Sequence, residues 1–528
     1  MIKTEVKLNY GYSSADIASA VCARLPIQKD EIKDLRIIKR SLNVSDKNNI
    51  HYDAIIGISL SEDREAGLLK MRKKVFSVED MSLTLPKCRF VNRPVVVGAG
   101  PAGLFCALLL AEAGARPILI ERGLDVDQRV KKVDAFVKLG ILDTECNVQF
   151  GEGGAGSFSD GKLKSGGIDK YKYKVLSELV NAGAPADIIY SVGAHVGTDK
   201  LREIVKGLRK RIVALGGEVH FSTRLVSILT KDGRVTGCRA VKDNREVAFD
   251  TDTVVLATGH SARDVFEMLK NMGVPMEAKG FGIGLRIEHP REYIDDLVYG
   301  KERPDDIGAA SYHLVSHLPN GRSAYSFCMC PGGSVVAAAS EQGGIVTNGM
   351  SEYARDAANS NAAFLVSVIP EDFGSDDPLA GIALQRSIEQ RAFKIAGSTY
   401  KAPSTTLGAF MEGKPAEFSS VKPSYARGIE LSPPESYLPS YVTDTLRLAI
   451  PDFDNWMKGF YIPEAVMTGP ETRTTSPVRV LRGESCEVLG FSGLYPTGEG
   501  AGYAGGIVSS ARDGLMIAER IIGKNAIE

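Results

Sequence analysis

The sequence predicts an α/β chain of several domains, and three observations carry that prediction. A buried strand, Val95 to Val97, runs into the turn Gly98-Ala-Gly100-Pro-Ala-Gly103, an Ala/Leu-rich helix and a second strand, "RPILIE", that ends at Glu121. Far downstream, "DTVVLATGH" is another apolar strand that stops in a glycine turn. The C-terminus then returns to strand, glycine turn and helix in "LYPTGEGAGYAGGIVSSARDGLMIAERI". Short apolar strands that alternate with helices and end in glycine turns are the pattern of a parallel sheet.

Composition bounds the rest. The chain has 528 residues, too many for one ordinary core, so two or three domains are expected. With 44% hydrophobic and 24% charged residues it reads as globular. A net charge of −1 gives no whole-chain argument for nucleic acid or an anionic membrane. The eight cysteines contain no C-x-x-C pair, and "MIKTEVKLNYGYSS" has no apolar leader core, so a cytoplasmic chain with reduced thiols is expected. The longest apolar run, Leu104 to Ala111, falls far short of the ~20 residues that span a bilayer.

In chain order, residues 1–92 read as a β-α-β-β module resembling part of a ferredoxin-like fold: "KTEVKLNY", "SSADIASAVCARL", "IKDLRIIKRSLNV" and "IHYDAIIGISL". This module is rich in basic residues, with Lys70, Arg72, Lys73 and Lys74 clustered near its end. No aromatic stacking pattern accompanies the charge, so a solvated face or linker is favoured over an RNA grip. Residues 93–277 hold the first glycine motif, the helix "DKLREIVKGLRKRIVALGGEV" and several strands. From 278 to 469 the pattern changes to hairpins and separate helices, an inserted α+β substrate or cap domain. One hairpin is marked by Asn320-Gly321, read as a two-residue turn. Residues 470–528 complete the first domain.

The chemistry begins at the first motif. Gly98 permits the tight turn, Gly100 lets the backbone approach a pyrophosphate, and Gly103 lets helix and strand pack closely. The helix N-terminus favours the phosphates, and Glu121 stands where a carboxylate accepts hydrogen bonds from a ribose diol. Strand, motif, helix, strand and acid in register make a Rossmann-type dinucleotide site. Gly500-Ala-Gly502-Tyr-Ala-Gly505 also fits G-x-G-x-x-G, but only one helix follows it, with no second strand and no acid, so it is not an NAD fold. The strand end at Ala257-Thr258-Gly259, the C-terminal return and the early position of the motif favour FAD over NAD.

"FGEGGAGSFSDGKL", "LATGHSARD", "GPETRTTSPVR" and "PTGEGAGYAGGI" together resemble the bacterial FAD-dependent dehydrogenase family of the two-dinucleotide-fold flavoprotein class. The resemblance covers nearly the whole chain. It implies a non-covalent FAD held by Gly98, Gly100, Pro101, Ala102, Gly103, Glu121 and Arg122. It adds Gly153, Gly154 and Ser157 from the loop Gly151–Gly161, then Val226, Ala257, Thr258 and Gly259. From the C-terminus it adds Gly498, Glu499, Gly505, Gly506 and Ile507, whose helix aims its N-terminus at the flavin pyrimidine. Within the loop, Gly156 to Lys162 reads G-x-x-x-x-G-K, but Leu163 follows in place of Ser or Thr and no clear strand precedes it, so an ATP site is not expected.

The implied activity is hydride transfer between a small organic substrate and flavin N5, with NAD(P)H docking transiently if it is the donor. The rival readings are a flavoprotein acting on RNA and a flavin-bound scaffold or sensor. Arg473, in "GPETRTTSPVR", suits a substrate carboxylate or other anion, with an interdomain salt bridge as the alternative; Arg286, after "GFGIGL", is a second cation on the cap side. Cys328 and Cys330 share one face of a regular strand at about 6.5–7 Å, at or beyond disulfide reach. The two-residue turn would set His313 opposite Cys328. That trio lacks a fourth metal ligand, so packing near the pocket is expected and no metal. His260 follows the Ala257–Gly259 turn, near the flavin. The sequence leaves the oligomeric state open.

Overall fold

The computed structural model describes residues 1–528 except 71–74, 80, 87, 164–166, 168 and 528. Of the basic cluster, Lys70 ends a helix, whereas Arg72, Lys73 and Lys74 lie outside the described residues.

The site is organised by a five-stranded parallel sheet. Its order is Leu494–Pro496, Val254–Leu256, Val95–Val97, Ile118–Ile120 and Glu218–His220. The strand that enters first in sequence, Val95–Val97, lies in the middle, so the chain winds outwards in both directions from it. Both faces are covered, and Val95, Val96, Val254 and Val255 are fully buried; that is why these strands read as unbroken apolar runs. The helices Pro101–Glu112 and Ile507–Lys524 cross on one face. A Cβ on Gly514 would stand 2.1 Å from the Ala102 carbonyl oxygen, so this glycine sets how closely the two helices meet. The close crossing brings both helix N-termini to the same edge of the sheet.

A three-stranded antiparallel sheet, Thr223–Lys231, Arg234–Lys242 and Arg245–Asp250, flanks this core. The inserted segment builds a seven-stranded sheet in the order Val315–His317, Ser323–Cys330, Asn359–Val368, Phe281–Pro290, Val466–Glu471, Ala402–Thr406 and Ile429–Leu431. Its last pair is parallel and the others are antiparallel. Helices Ala380–Ile395 and Ser440–Trp456 cover it around Phe364, Phe453 and Phe460, whose rings meet at 5.2 and 5.4 Å. Strand Val466–Glu471 runs through the expected 469/470 boundary. The two crossings between sheets are tied together, because Met276–Ala278 pairs antiparallel with Val478–Val480.

Residues 2–77 form strand, helix, strand, strand, helix, strand. The four strands make one antiparallel sheet in the order Asp34–Asn43, His51–Ser59, Ile2–Asn9, Phe76–Ser77. Ser13 and Asp16 close a capping box that starts its first helix. The module docks on the parallel-sheet domain through Arg40, whose amide donates to the Tyr190 carbonyl at 2.8 Å and whose Nη2 reaches Ser191 Oγ at 2.9 Å.

One hairpin differs from its reading. His317 pairs with Ser323, and the Leu318 amide bonds the Arg322 carbonyl at 2.9 Å. Pro319, Asn320 and Gly321 thus form a three-residue loop, with Gly321 left-handed at φ +78°. Such loops end in a left-handed glycine, which "NG" serves as well as it serves a two-residue turn. Continuing that register past the strand sets His313 opposite Phe327 instead of Cys328.

Candidate functional site

A cavity of about 540 Å³ lies between the C-terminal edge of the parallel sheet and the inserted sheet. The first motif forms one end of it. Gly98 is left-handed at φ +103°, and a Cβ there would sit 2.4 Å from the Ala257 carbonyl oxygen. A Cβ on Gly103 would sit 1.8 Å from the Gly98 carbonyl oxygen, so Gly103 packs beneath the turn and does not line the cavity. Gly100 differs from both: its nearest neighbour would be Gly154 Cα at 3.8 Å, and it opens on the cavity. Pro101 and Ala102 line the wall beside it, and Ala257, Thr258 and Gly259 form the adjoining strand end.

Two helices begin here without a capping side chain, at Gly100 and at Gly506. Their free N–H groups and positive ends both face the cavity, an arrangement that suits an anionic ligand. Gly498, Glu499, Gly505 and Ile507 complete that side. Glu121 is buried on the wall and accepts from the amides of Ala99 at 2.8 Å, Gly123 at 2.9 Å and Gly151 at 3.0 Å. Three of its roughly four acceptor positions are filled, which leaves capacity for a hydroxyl. Arg122 lines the cavity too, with its guanidinium 4.4 Å over the Phe150 ring and its Nη2 on Asp264 at 2.5 Å.

The glycine loop is held from behind by a residue that sequence reasoning missed. Arg129 is fully buried, and among the described residues no carboxylate is hydrogen-bonded to it. Its Nε donates to the Asn147 carbonyl at 2.9 Å and its Nη2 to that of Val148 at 2.9 Å. Nη1 reaches the carbonyls of Glu152 at 2.7 Å, Gly154 at 2.9 Å and Gly151 at 3.3 Å. The loop therefore turns its oxygens inward to one cation, and the amides of Gly151, Glu152, Gly153, Gly154 and Ser157 are bonded within the protein as well. Gly154 lines the cavity, but Gly153 and Ser157 do not. Gly153 donates its amide to the Ala99 carbonyl at 2.8 Å, and the Ser157 hydroxyl points inward to the Glu152 carbonyl at 3.4 Å. Val226 is also off the wall: its neighbours Thr223 and Leu225 line the cavity, since successive strand side chains face opposite ways.

The inserted sheet closes the other end. Tyr312 contributes a buried hydroxyl without a hydrogen-bond partner among the described residues. Arg286 is completely buried and behind the wall, paired with Glu471 at 2.6 Å and donating to Asn348 Oδ1 at 2.8 Å; it does not face the cavity as a substrate cation. Arg473 reaches the wall, but its fork is taken. Nε and Nη2 bond the Glu389 carboxylate at 2.9 and 2.8 Å, and Nη1 bonds Ser261 Oγ at 3.2 Å and Ser340 Oγ. Glu389 is shared with Arg263, and although burial opposes its ionisation, Arg263 and Arg473 hold its carboxyl well below the usual range. Burial, Arg473 and Arg263 together push His260 down to about 3, so the imidazole on the cavity wall is neutral. Burial raises Glu499 to about 8 and, against the pull of Arg286, Glu471 to about 7. Lys162, the last residue of the G-x-x-x-x-G-K run, donates to the Met329 carbonyl on the same wall. No group of three His, Cys, Asp or Glu among the described residues is placed to hold a metal, and none of their helices is long and apolar enough to cross a membrane.

Residues 92–286 match the pyridine nucleotide-disulphide oxidoreductase family, and residues 280–474 match the family described as FAD-dependent protein, C-terminal domain-like. A Clostridium beijerinckii protein, itself described as uncharacterized, is 46% identical over 511 residues, which cover 96% of this chain and 95% of that protein. An NADH:fumarate oxidoreductase of Klebsiella pneumoniae is 27% identical over 286 residues, 48% of this chain and 30% of its own length. Among solved structures, a 3-ketosteroid-Δ4-(5α)-dehydrogenase of Rhodococcus jostii aligns over 84% of this chain and 100% of its own at 13% identity, with a TM-score of only 0.35.

Proposed function

The chain belongs to the family of FAD-dependent oxidoreductases that includes the Clostridium beijerinckii protein, and on that premise we propose that it transfers hydride between flavin N5 and a small organic substrate held beneath the inserted sheet. The observation that carries the reading is one continuous cavity. Two uncapped helix N-termini and Glu121 stand at one end, and Tyr312, His313 and Asn348 of the inserted segment stand at the other.

The residues present fit FAD. Gly100 and Gly154 leave the space a pyrophosphate needs, the helix N-termini at Gly100 and Gly506 supply N–H groups, and Glu121 keeps acceptor capacity for a ribose hydroxyl. Bound there, FAD supplies two-electron chemistry at N5. The protein's own part is to hold and orient. Arg129 fixes the loop, the neutral His260 adds no charge beside the ring, and the inserted sheet keeps water from the reacting atoms. Glu499, protonated at neutral pH when burial dominates, is able to donate a hydrogen bond from its carboxyl oxygen.

The Arg473 fork belongs to Glu389 in this reading, so it is not free to hold a substrate anion. Tyr312 Oη, without a partner in the wall, is the group that would meet a substrate oxygen. NADH or NADPH serves as a transient donor. Anaerobic spectroscopy of the purified yellow protein tests the reading, with NADH, NADPH and candidate organic reductants added singly. Bleaching of the flavin band by one of them, reversed by an organic acceptor, supports it. A flavin that no small molecule reduces would leave the scaffold or sensor reading in its place.

A further inference from the structure

Strand Ser323–Cys330 is not regular at its end. Its register with Asn359–Val368 slips between Phe327 and Cys330, and Cys328 is left-handed at φ +40°. This bulge overturns the regular-strand spacing expected for Cys328 and Cys330, because it kinks the strand and takes residues out of the ladder. Cations meet the carbonyls of the two unladdered residues: Arg286 Nη1 donates to that of Cys328 at 2.8 Å, and Lys162 Nζ donates to that of Met329. Lys162 is aimed there by its own backbone. Gly161 before it is left-handed at φ +68°, and Lys162 makes an antiparallel bridge with His195. Lys162, Tyr312 and Asn348 all line the cavity at this end.

The arginines packed against this end are each paired with a carboxylate: Arg286 with Glu471 at 2.6 Å, Arg355 with Asp160 at 2.9 Å and Arg473 with Glu389 at 2.8 Å. Lys162 differs. Among the described residues no carboxylate stands within ion-pair distance of it, and no hydrogen bond joins it to the Cys328 or Cys330 sulfur. Burial lowers its pKa, and Asp160, the acid that most opposes this, is committed to Arg355. Its bond to Met329 uses one of three ammonium protons. The neutral groups at this end are donors too. Asn348 Oδ1 accepts from Arg286 Nη2 and from the Gly349 amide, both at 2.8 Å, which turns its Nδ2 the other way and leaves it unbonded among the described residues. Tyr312 Oη is buried without a partner there.

We propose that Lys162, with Asn348 and Tyr312 beside it, holds the carboxylate of an organic-acid substrate at the inserted-sheet end of the cavity. The proposal deepens the hydride-transfer reading and rests on it. A carboxylate is a pure acceptor with about four positions to fill, and this end of the wall offers N–H and O–H donors with one unmatched positive charge. Taking a carboxylate out of water is costly unless a cation and further hydrogen bonds meet it. Lys162 is itself withdrawn from water without a counter-ion, so the bound acid completes a pair. The part that spacing offered to Arg473 thus falls to the lysine of the G-x-x-x-x-G-K run, which meets a carboxylate in place of a phosphate.

The test uses the purified holoprotein. Acetate, pyruvate, succinate and benzoate, with the neutral acetamide and benzamide as controls, are titrated singly while the flavin spectrum and the heat of binding are recorded. At least one acid is expected to bind, and more tightly than the amides. Lys162→Met should weaken that acid about tenfold or more at unchanged flavin content, and Tyr312→Phe should weaken it about fivefold. Acids that bind no better than amides, or equally well to wild type and Lys162→Met, would overturn the proposal. Loss of flavin from Lys162→Met would give the lysine to the cofactor and overturn it too. A wild-type chain that holds no flavin would overturn the cofactor reading instead, and the heat of binding would still tell whether Lys162 holds a carboxylate. If Lys162→Met does not fold, the preference of the wild type for acid over amide and its reduction in Tyr312→Phe decide.

Discussion

Arg473 and Glu389 face each other across the junction between the parallel sheet and the inserted sheet, joined by bonds of 2.9 and 2.8 Å with 3% and 1% of the two side chains exposed. Arg263, from the helix Arg263–Asn271 of the parallel-sheet domain, takes the same carboxylate from the other side. One buried carboxylate thus fastens three separate stretches of chain.

The first prediction follows from that geometry. Removing one partner of a buried pair leaves an uncompensated charge and costs about 3–5 kcal/mol. Lysine in place of Arg473 keeps the charge but loses the fork. Arg473→Lys should therefore lower the midpoint of urea unfolding well before it alters substrate binding. An unchanged midpoint with a raised KM would return Arg473 to the substrate.

The second prediction contrasts two glycines of one motif. Gly100 has φ −77°, which any residue adopts, and a Cβ there meets only Gly154 Cα at 3.8 Å. Gly103 has no such room, with the Gly98 oxygen 1.8 Å from its ideal Cβ. Gly100→Val should fold and purify colourless, because the side chain fills the cradle. Gly103→Val should fail to fold. Circular dichroism and the flavin absorbance per chain read both outcomes; a yellow Gly100→Val protein would remove the pyrophosphate from this end of the cavity.

The third concerns Arg129. Five carbonyl oxygens rely on its guanidinium, and an ammonium has three protons to offer. Arg129→Lys should cost at least about 2 kcal/mol through the carbonyls left unpaired, and it should release flavin because the loop wall at Gly154 shifts. Flavin retention during dialysis, compared between wild type and variant, checks it. Full retention would mean that the loop is held by its glycine conformations alone.

What could be read in advance tracks how local each feature is. The Gly98 motif and Glu121 are one continuous strand–turn–helix–strand, so spacing alone exposed them. Arg129 stands on the helix Val126–Leu139 beside Lys131 and Lys132, and nothing near it in sequence names the carbonyls that it holds. Glu389 and Arg473 are 84 positions apart, and only the tertiary fold brings them together. Asn320-Gly321 announced a turn but not its length, and that single residue moved His313 from Cys328 to Phe327. The strand bulge at Cys328 left no mark in the alternation of "SAYSFCMC".

The last prediction is a pH dependence. Burial, with the Cys328 charge adding to it, raises the Glu499 carboxyl from its usual 4.5 to about 8, and Lys279 only partly offsets this. Between those values the folded chain holds a proton that the unfolded chain has released. Stability from this group is then full below the unfolded pKa and is lost as pH rises through the folded one, with a slope of at most about 1.4 kcal/mol per pH unit. Glu499→Gln cannot ionise, so it should lack this slope. The measurement is the urea midpoint of flavin-free wild type and Glu499→Gln at pH 5.5 and pH 8. The variant should gain on the wild type as pH rises, and the gap should narrow when FAD is restored if the cofactor takes a hydrogen bond from that carboxyl. Parallel midpoints for the two proteins across the range would show that Glu499 is ionised in the folded chain and that solvent in the cavity reaches it.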